Sequence, residues 1–107
     1  MKFAVRQLQE AEEDLLAIYL YVAAADSVDR AELLLERLEA TIGSLDQLAR
    51  RGRAPPELAK VGVREFREIV SRPYRIVYEI TGRTVFVHAV LDGRRDLVDL
   101  LAERLLR

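Results

Sequence analysis

The stretch Tyr74-Arg75-Ile76-Val77-Tyr78-Glu79-Ile80-Thr81-Gly82-Arg83-Thr84-Val85-Phe86-Val87-His88-Ala89-Val90 decides the fold of this 107-residue chain. Its first half alternates: Tyr74, Ile76, Tyr78 and Ile80 share one face and Arg75, Val77 and Glu79 the other, the period-two pattern of a strand. Thr81-Gly82 makes a tight turn, because glycine reaches the positive φ that hairpin turns demand. Val85-Phe86-Val87 is apolar on both faces, which places the returning strand inside the sheet rather than at its edge.

Upstream, Arg64 to Val70 reads as a strand joining this meander. Before it, Arg53-Ala54-Pro55-Pro56-Glu57-Leu58-Ala59-Lys60 is a connecting loop, since two prolines remove backbone donors and restrict the residues before them. Earlier still the period is helical. Leu15, Ile18, Tyr19 and Val22 form one stripe, with Glu10, Glu12, Glu13 and Asp14 at its positive dipole end. Ala31, Leu34, Leu35, Leu38, Ile42, Leu45 and Leu48 form a second, with N-caps offered by Asp26 and Ser27 and a stop expected near Arg51-Gly52. The two predict an antiparallel helical hairpin. Lys2 to Gln7 alternates as a short first strand. Downstream, Asp92-Gly93 turns, and Asp96 opens a final helix carrying Leu97, Leu100, Leu101 and Leu105. The order is β-α-α-β-β-β-α: an α+β domain with a curved antiparallel sheet packed against a helical hairpin, and a C-terminal helix.

Composition narrows the function. Half the residues are hydrophobic and a third charged, so the chain folds as one domain, residues 1–107. It has no cysteine, which excludes disulfides and thiolate metal sites and fits a cytoplasmic setting. The longest apolar run, Leu15 to Ala25, is too short to span a bilayer, so no membrane segment or leader is expected. The formal net charge of −1 hides a segregation: between Arg50 and Arg95 eleven Arg and Lys face five Asp and Glu, and the acids gather elsewhere. Such a field attracts phosphates or acidic protein surfaces, or it is a solvated face whose arginines pair with neighbouring glutamates.

Gly52-Arg53 and Pro56-Glu57 in the loop, Arg67-Glu68-Ile69, the run Pro73-Tyr74-Arg75-Ile76-Val77-Tyr78, and Val90-Leu91-Asp92-Gly93-Arg94-Arg95-Asp96 form an ordered set. That set resembles the RelE/ParE superfamily of bacterial type II toxin–antitoxin toxins, whose members include plasmid-stabilisation proteins, and the resemblance covers nearly the whole chain. It implies the same element order and a ParE-like toxin that inhibits DNA gyrase and forms a hetero-oligomer with a ParD-like antitoxin, without cofactor or metal. The alternatives it leaves are a RelE-like mRNA endoribonuclease acting on the ribosome and mRNA, and an inactive relative that still binds antitoxin.

Chemistry separates these. Cleaving RNA through the 2′-hydroxyl needs a proton acceptor and a proton donor as well as cations, and arginine supplies only the last. RelE-like nucleases carry a proton-transfer residue near the C-terminus, yet from Asp96 to Arg107 there is no Tyr, His or Lys. The remaining candidates are Lys60, a loop charge; Tyr74, whose alternation reads as core packing; and His88, expected on one strand face with Phe86 and Val90. No catalytic residue is therefore assigned. The expected target contacts are Arg67, Arg72, Arg75, Arg94 and Arg95. Arg75, opposite the Tyr74 face, is either exposed or paired with Glu68 or Glu79. Antitoxin contact is expected at Leu97, Leu100, Leu101, Leu105 and Leu106, because these exceed what one core-facing stripe requires.

Overall fold

The structure is a computed structural model that describes residues 2–105. Its strands are β1 (Ala4–Gln7), β2 (Phe66–Ser71), β3 (Tyr74–Thr81) and β4 (Thr84–Asp92); its helices are α1 (Gln9–Ala25), α2 (Val28–Gly43), the short α3 (Leu45–Leu48) and α4 (Pro56–Ala59), and α5 (Leu97–Leu105). The sheet order is β1-β4-β3-β2, so β4 is interior as its two-sided apolar run requires. β2, β3 and β4 form the antiparallel meander. β1 departs from the all-antiparallel expectation: it runs parallel to β4, from Ala4 beside Thr84 to Gln7 beside Val87. The reason is topological, since α1 and α2 intervene and bring β1 to the far side of the last strand. The β3–β4 loop is Gly82-Arg83, between the paired Thr81 and Thr84, and Gly82 has φ of +60° as the first position of a type II′ turn demands.

Both faces of the sheet are covered. Ile76, Tyr78, Val85, Val87 and Val90 meet Ala11 and Leu15 of α1 and Leu38 and Ile42 of α2. On the opposite face Val77, Ala89 and Leu91 pack with Leu58 of α4 and Leu97 and Leu100 of α5. The second helix ends earlier than its apolar stripe implies. It stops at Gly43, α3 starts after Ser44, and a 3-10 turn (Ala49–Arg51) follows, so Leu48 is exposed instead of in the core. Ser27 caps α2 by accepting from the Arg30 N–H at 3.1 Å. Asp96 caps α5, accepting from Val98 at 2.7 Å and Asp99 at 3.2 Å.

The pairing of β3 with β4 slips between Val77 and Tyr78, leaving His88 as an extra residue in β4. This bulge corrects one expected face. His88 stays with Phe86 on the α5 side, but Val90 is turned into the α1–α2 core.

Candidate functional site

β2, β3 and the α4 loop converge on an ionic network. Arg75 lies on the α5 side of β3 and is 8% exposed. Its Nε donates to Glu68 Oε1 at 2.8 Å, while Nη1 and Nη2 grip Glu57 Oε2 and Oε1 at 2.8 and 2.7 Å. Nη1 also reaches the Arg95 carbonyl at 3.2 Å. Glu68, 2% exposed, takes a second cation from Arg53 Nε at 2.9 Å. Hydrogen bonding from Arg75 holds the Glu57 carboxyl down at about 2 against a partial desolvation penalty, and Glu57 in turn keeps Arg75 protonated. Of the alternatives for Arg75, the buried ion pair with Glu68 is the one that forms, with Glu57 in place of Glu79. Arg75, expected as a target contact, is thus buried with its donors committed to Glu57 and Glu68.

A cleft of about 400 Å³ opens over this network, with Arg53 and Arg72 among its lining residues. The Arg72 side chain is exposed, whereas its carbonyl accepts from Arg37 of α2 at 2.9 Å. A second cleft of about 350 Å³ holds Tyr74, Tyr21, Arg94 and Arg95. The Arg94 side chain is 92% exposed and meets Asp92, by Nε at 3.1 Å and Nη2 at 3.3 Å. Arg95 pairs with Glu103 of α5 at 3.2 Å. The Gly93 N–H donating to the Pro73 carbonyl at 2.7 Å ties the arginine turn to the β2–β3 connection, so the two clefts lie on either side of one strut. Arg67 is turned elsewhere: Nη1 donates to the Gly52 and Arg50 carbonyls at 3.0 and 3.3 Å.

Tyr78 holds the same turn from inside the sheet. Its hydroxyl donates to the Ala49 carbonyl at 2.7 Å and accepts from the Gly52 N–H at 3.0 Å. A Cβ on Gly52 would overlap that hydroxyl and sit 2.8 Å from the Glu68 carbonyl oxygen, which is why glycine stands here.

The three proton-transfer candidates do not meet. Lys60 is exposed just after α4. Tyr74 lines the Arg94 cleft, its hydroxyl pKa raised by burial and by the Asp92 charge. His88 Nε2 faces Glu79 Oε1 at 2.8 Å, and its ring stands edge-on to Phe66, on the α5 side of the sheet. Among the described residues no group of three or more His, Cys, Asp and Glu is placed to hold a metal ion. No described helix is long and apolar enough to cross a membrane.

Two of the leucines expected to meet an antitoxin are spoken for. Leu97 is fully buried and Leu100 is 3% exposed, both in the chain's own second core, with Leu101 packed against it. A sheet covered on both faces needs these side chains, so they are not surplus. Of Leu105 the backbone alone is described, and Leu106 lies outside the described residues. Several of the exposed large apolar side chains are on the hairpin, among them Leu16 (58%) and Leu20 (56%). Leu16 lines a groove of about 390 Å³ with Leu15, Tyr19 and Leu35.

Arg104 is not singled out by sequence, and Asp14 reads there as a helix-dipole acid with no partner named. Arg104, with 9% of its side chain exposed, donates to the His88 carbonyl at 2.7 Å and to Asp14 Oδ1 at 2.6 Å. Asp14 Oδ2 accepts from the Val90 N–H at 2.9 Å. Together they satisfy β4 where β1 has ended and lock α5 to α1. A signal existed: Arg104 falls on the Leu97, Leu100, Leu101 stripe, where a charge must find a partner.

The model of the ParE toxin of the type II toxin–antitoxin system parDE matches residues 5–97. The chain belongs to the ParE toxin family. Among solved structures, a chain of the chromosomal ParDE TA system from P. aeruginosa is 18% identical, with TM-score 0.72 over 85% of this chain and 96% of that one. At that identity the likeness establishes the shared fold. No curated protein matches. The ParE-type assignment agrees with the element order and with the motifs read from sequence, and it carries with it an antitoxin partner.

Proposed function

We propose that this ParE-family toxin acts in the cytoplasm by disabling DNA gyrase through a basic docking surface, and that its antitoxin neutralises it by covering the apolar hairpin groove. One observation carries the reading. The exposed arginines of the two joined clefts, Arg72, Arg94 and Arg95, project to solvent, while Glu57 and Arg75 behind them are locked as a charged pair far from neutrality. Groups held that way make a rigid electrostatic mount and poor proton carriers. Arg94 and Arg95 are the primary contacts, with Arg72 beside them. Arg67 acts through the turn at Gly52.

The groove beside Leu16, Tyr19 and Leu35, extended by Leu20 one turn further along α1, is the apolar surface suited to an antitoxin helix. Induced expression tests the target: a DNA-damage response with continuing translation supports gyrase, whereas immediate translation arrest with codon-specific mRNA cuts overturns it in favour of ribosome-dependent cleavage.

A further inference from the structure

The sheet ends at β2, and the outer side of that strand is only partly covered. Arg53 pairs with Glu68 as an isolated antiparallel bridge, N–H to carbonyl in both directions at 3.0 and 2.7 Å. In an antiparallel ladder a residue points its N–H and C=O to the same side, and successive residues alternate. Glu68 points outward, so Val70 does too, because β2 keeps its register on β3 without a slip through Ser71. Toward Phe66 the covering chain continues as Ala54-Pro55-Pro56. Toward Val70 it turns away into the 3-10 turn at Arg51. Among the described residues no hydrogen-bond partner meets the backbone of Val70 on this side, and Val70 is 51% exposed.

The surroundings of this open position are basic. Two clefts meet at Glu68 and Val70: the one of about 400 Å³ over Arg75, edged by Arg72, and another of about 480 Å³ lined by Thr41, Arg51 and Arg53. The acids in both linings, Glu57 and Glu68, are already held by Arg75 and Arg53. Among the described residues Arg51 makes a neutral contact, to the Ser44 hydroxyl at 2.8 Å, and no ion pair. An unpaired strand position between two cationic clefts suits a chain that brings backbone pairing together with negative side chains at adjacent positions, which point to opposite faces.

We infer that an extended acidic peptide segment crosses the β2 edge at Val70, exchanging backbone hydrogen bonds with it and seating carboxylates on Arg51 and Arg72 in the two clefts. That the antitoxin supplies this segment rests on the toxin reading above; the edge and its charge do not.

Hydrogen exchange read by NMR on the intact chain tests it, with a synthetic peptide of Glu and Val as long as β2 whose two central residues are both Glu, one for each face, and a counterpart with Lys for Glu. The acidic peptide should slow exchange of the Val70 amide by on the order of 10-fold at saturation. The Ile69 amide, which points toward β3, should not change. Arg51→Glu with Arg72→Glu, both on exposed side chains, should abolish the effect. The inference is overturned by no binding, by equal binding of the Lys peptide, by acidic-peptide binding that leaves Val70 unprotected, or by protection that appears with protein concentration alone, which would mean self-pairing. Gyrase plays no part in this titration, so failure here and failure of the toxin reading are separate results.

Discussion

Arg75 and Glu57 face each other fork to fork, Nη1 to Oε2 at 2.8 Å and Nη2 to Oε1 at 2.7 Å, joining β3 to α4 across eighteen residues of sequence. The same Glu57 accepts the Leu97 N–H at 3.2 Å, at the start of α5. One pair therefore fixes the proline loop, the central hairpin and the C-terminal helix together. Removing Arg75 would leave Glu68 buried with Arg53 as its one ionic partner. Arg75→Ala should cost about 3 kcal/mol of unfolding free energy, measured by urea denaturation.

Glu57 gives the fold a pH dependence of definite sign. Its folded pKa, about 2, lies below the ordinary 4.5, so the stabilisation is complete above about pH 4.5 and is lost as pH falls toward 2. Urea midpoints between pH 6 and about 3 should decline, and Glu57→Gln should flatten the decline while lowering the neutral-pH midpoint.

At the Gly52 turn, Tyr78→Phe removes a hydroxyl serving both the Ala49 carbonyl and the Gly52 N–H. The cost should be roughly 2 kcal/mol, since both groups are left without that partner. Gly52→Ala should be at least as damaging, because the new Cβ meets the Glu68 backbone, which has no flexible side chain to move aside. Melting temperatures of the two variants check both.

Among the described residues the Arg94 side chain pairs with Asp92 and the Arg95 side chain with Glu103, both in solvent. Arg94→Ala with Arg95→Ala should leave the melting temperature and antitoxin affinity unchanged. Target inhibition should weaken by on the order of 100-fold, the effect of losing two charge-assisted contacts. Isothermal titration with antitoxin, set beside a dose–response on the target, separates the two effects.

Antitoxin affinity should instead fall with Leu16→Asp, which places a charge in the hairpin groove at a residue 58% exposed in the free toxin. Calorimetry should show a loss of about 10-fold or more, with the toxin's own melting temperature nearly unchanged.

The meander was legible because β3 and β4 carry their burial in period two and their turn in Gly82. The hairpin was legible from its stripes, although helical spacing through Leu45 and Leu48 concealed the break at Gly43, where the chain reorients without losing its period. The bulge at His88 was not legible, since an extra residue in an apolar run such as Val85 to Leu91 leaves no mark on hydrophobicity. The site was half-visible. Alternation put Arg75 opposite Tyr74, but its clamp, Glu57, comes from a loop whose position depends on the whole fold. The leucines of α5 looked surplus because they were set against a single core-facing stripe, when Val77, Ala89 and Leu91 in fact build a second core beneath them.

The most direct measurement is DNA supercoiling by purified gyrase with this toxin added. Inhibition at near-stoichiometric toxin, relieved by the antitoxin and weakened in Arg94→Ala with Arg95→Ala, is the predicted result. Undiminished supercoiling at large toxin excess, together with mRNA cuts on ribosomes that disappear in Lys60→Ala or Tyr74→Phe, would contradict the account.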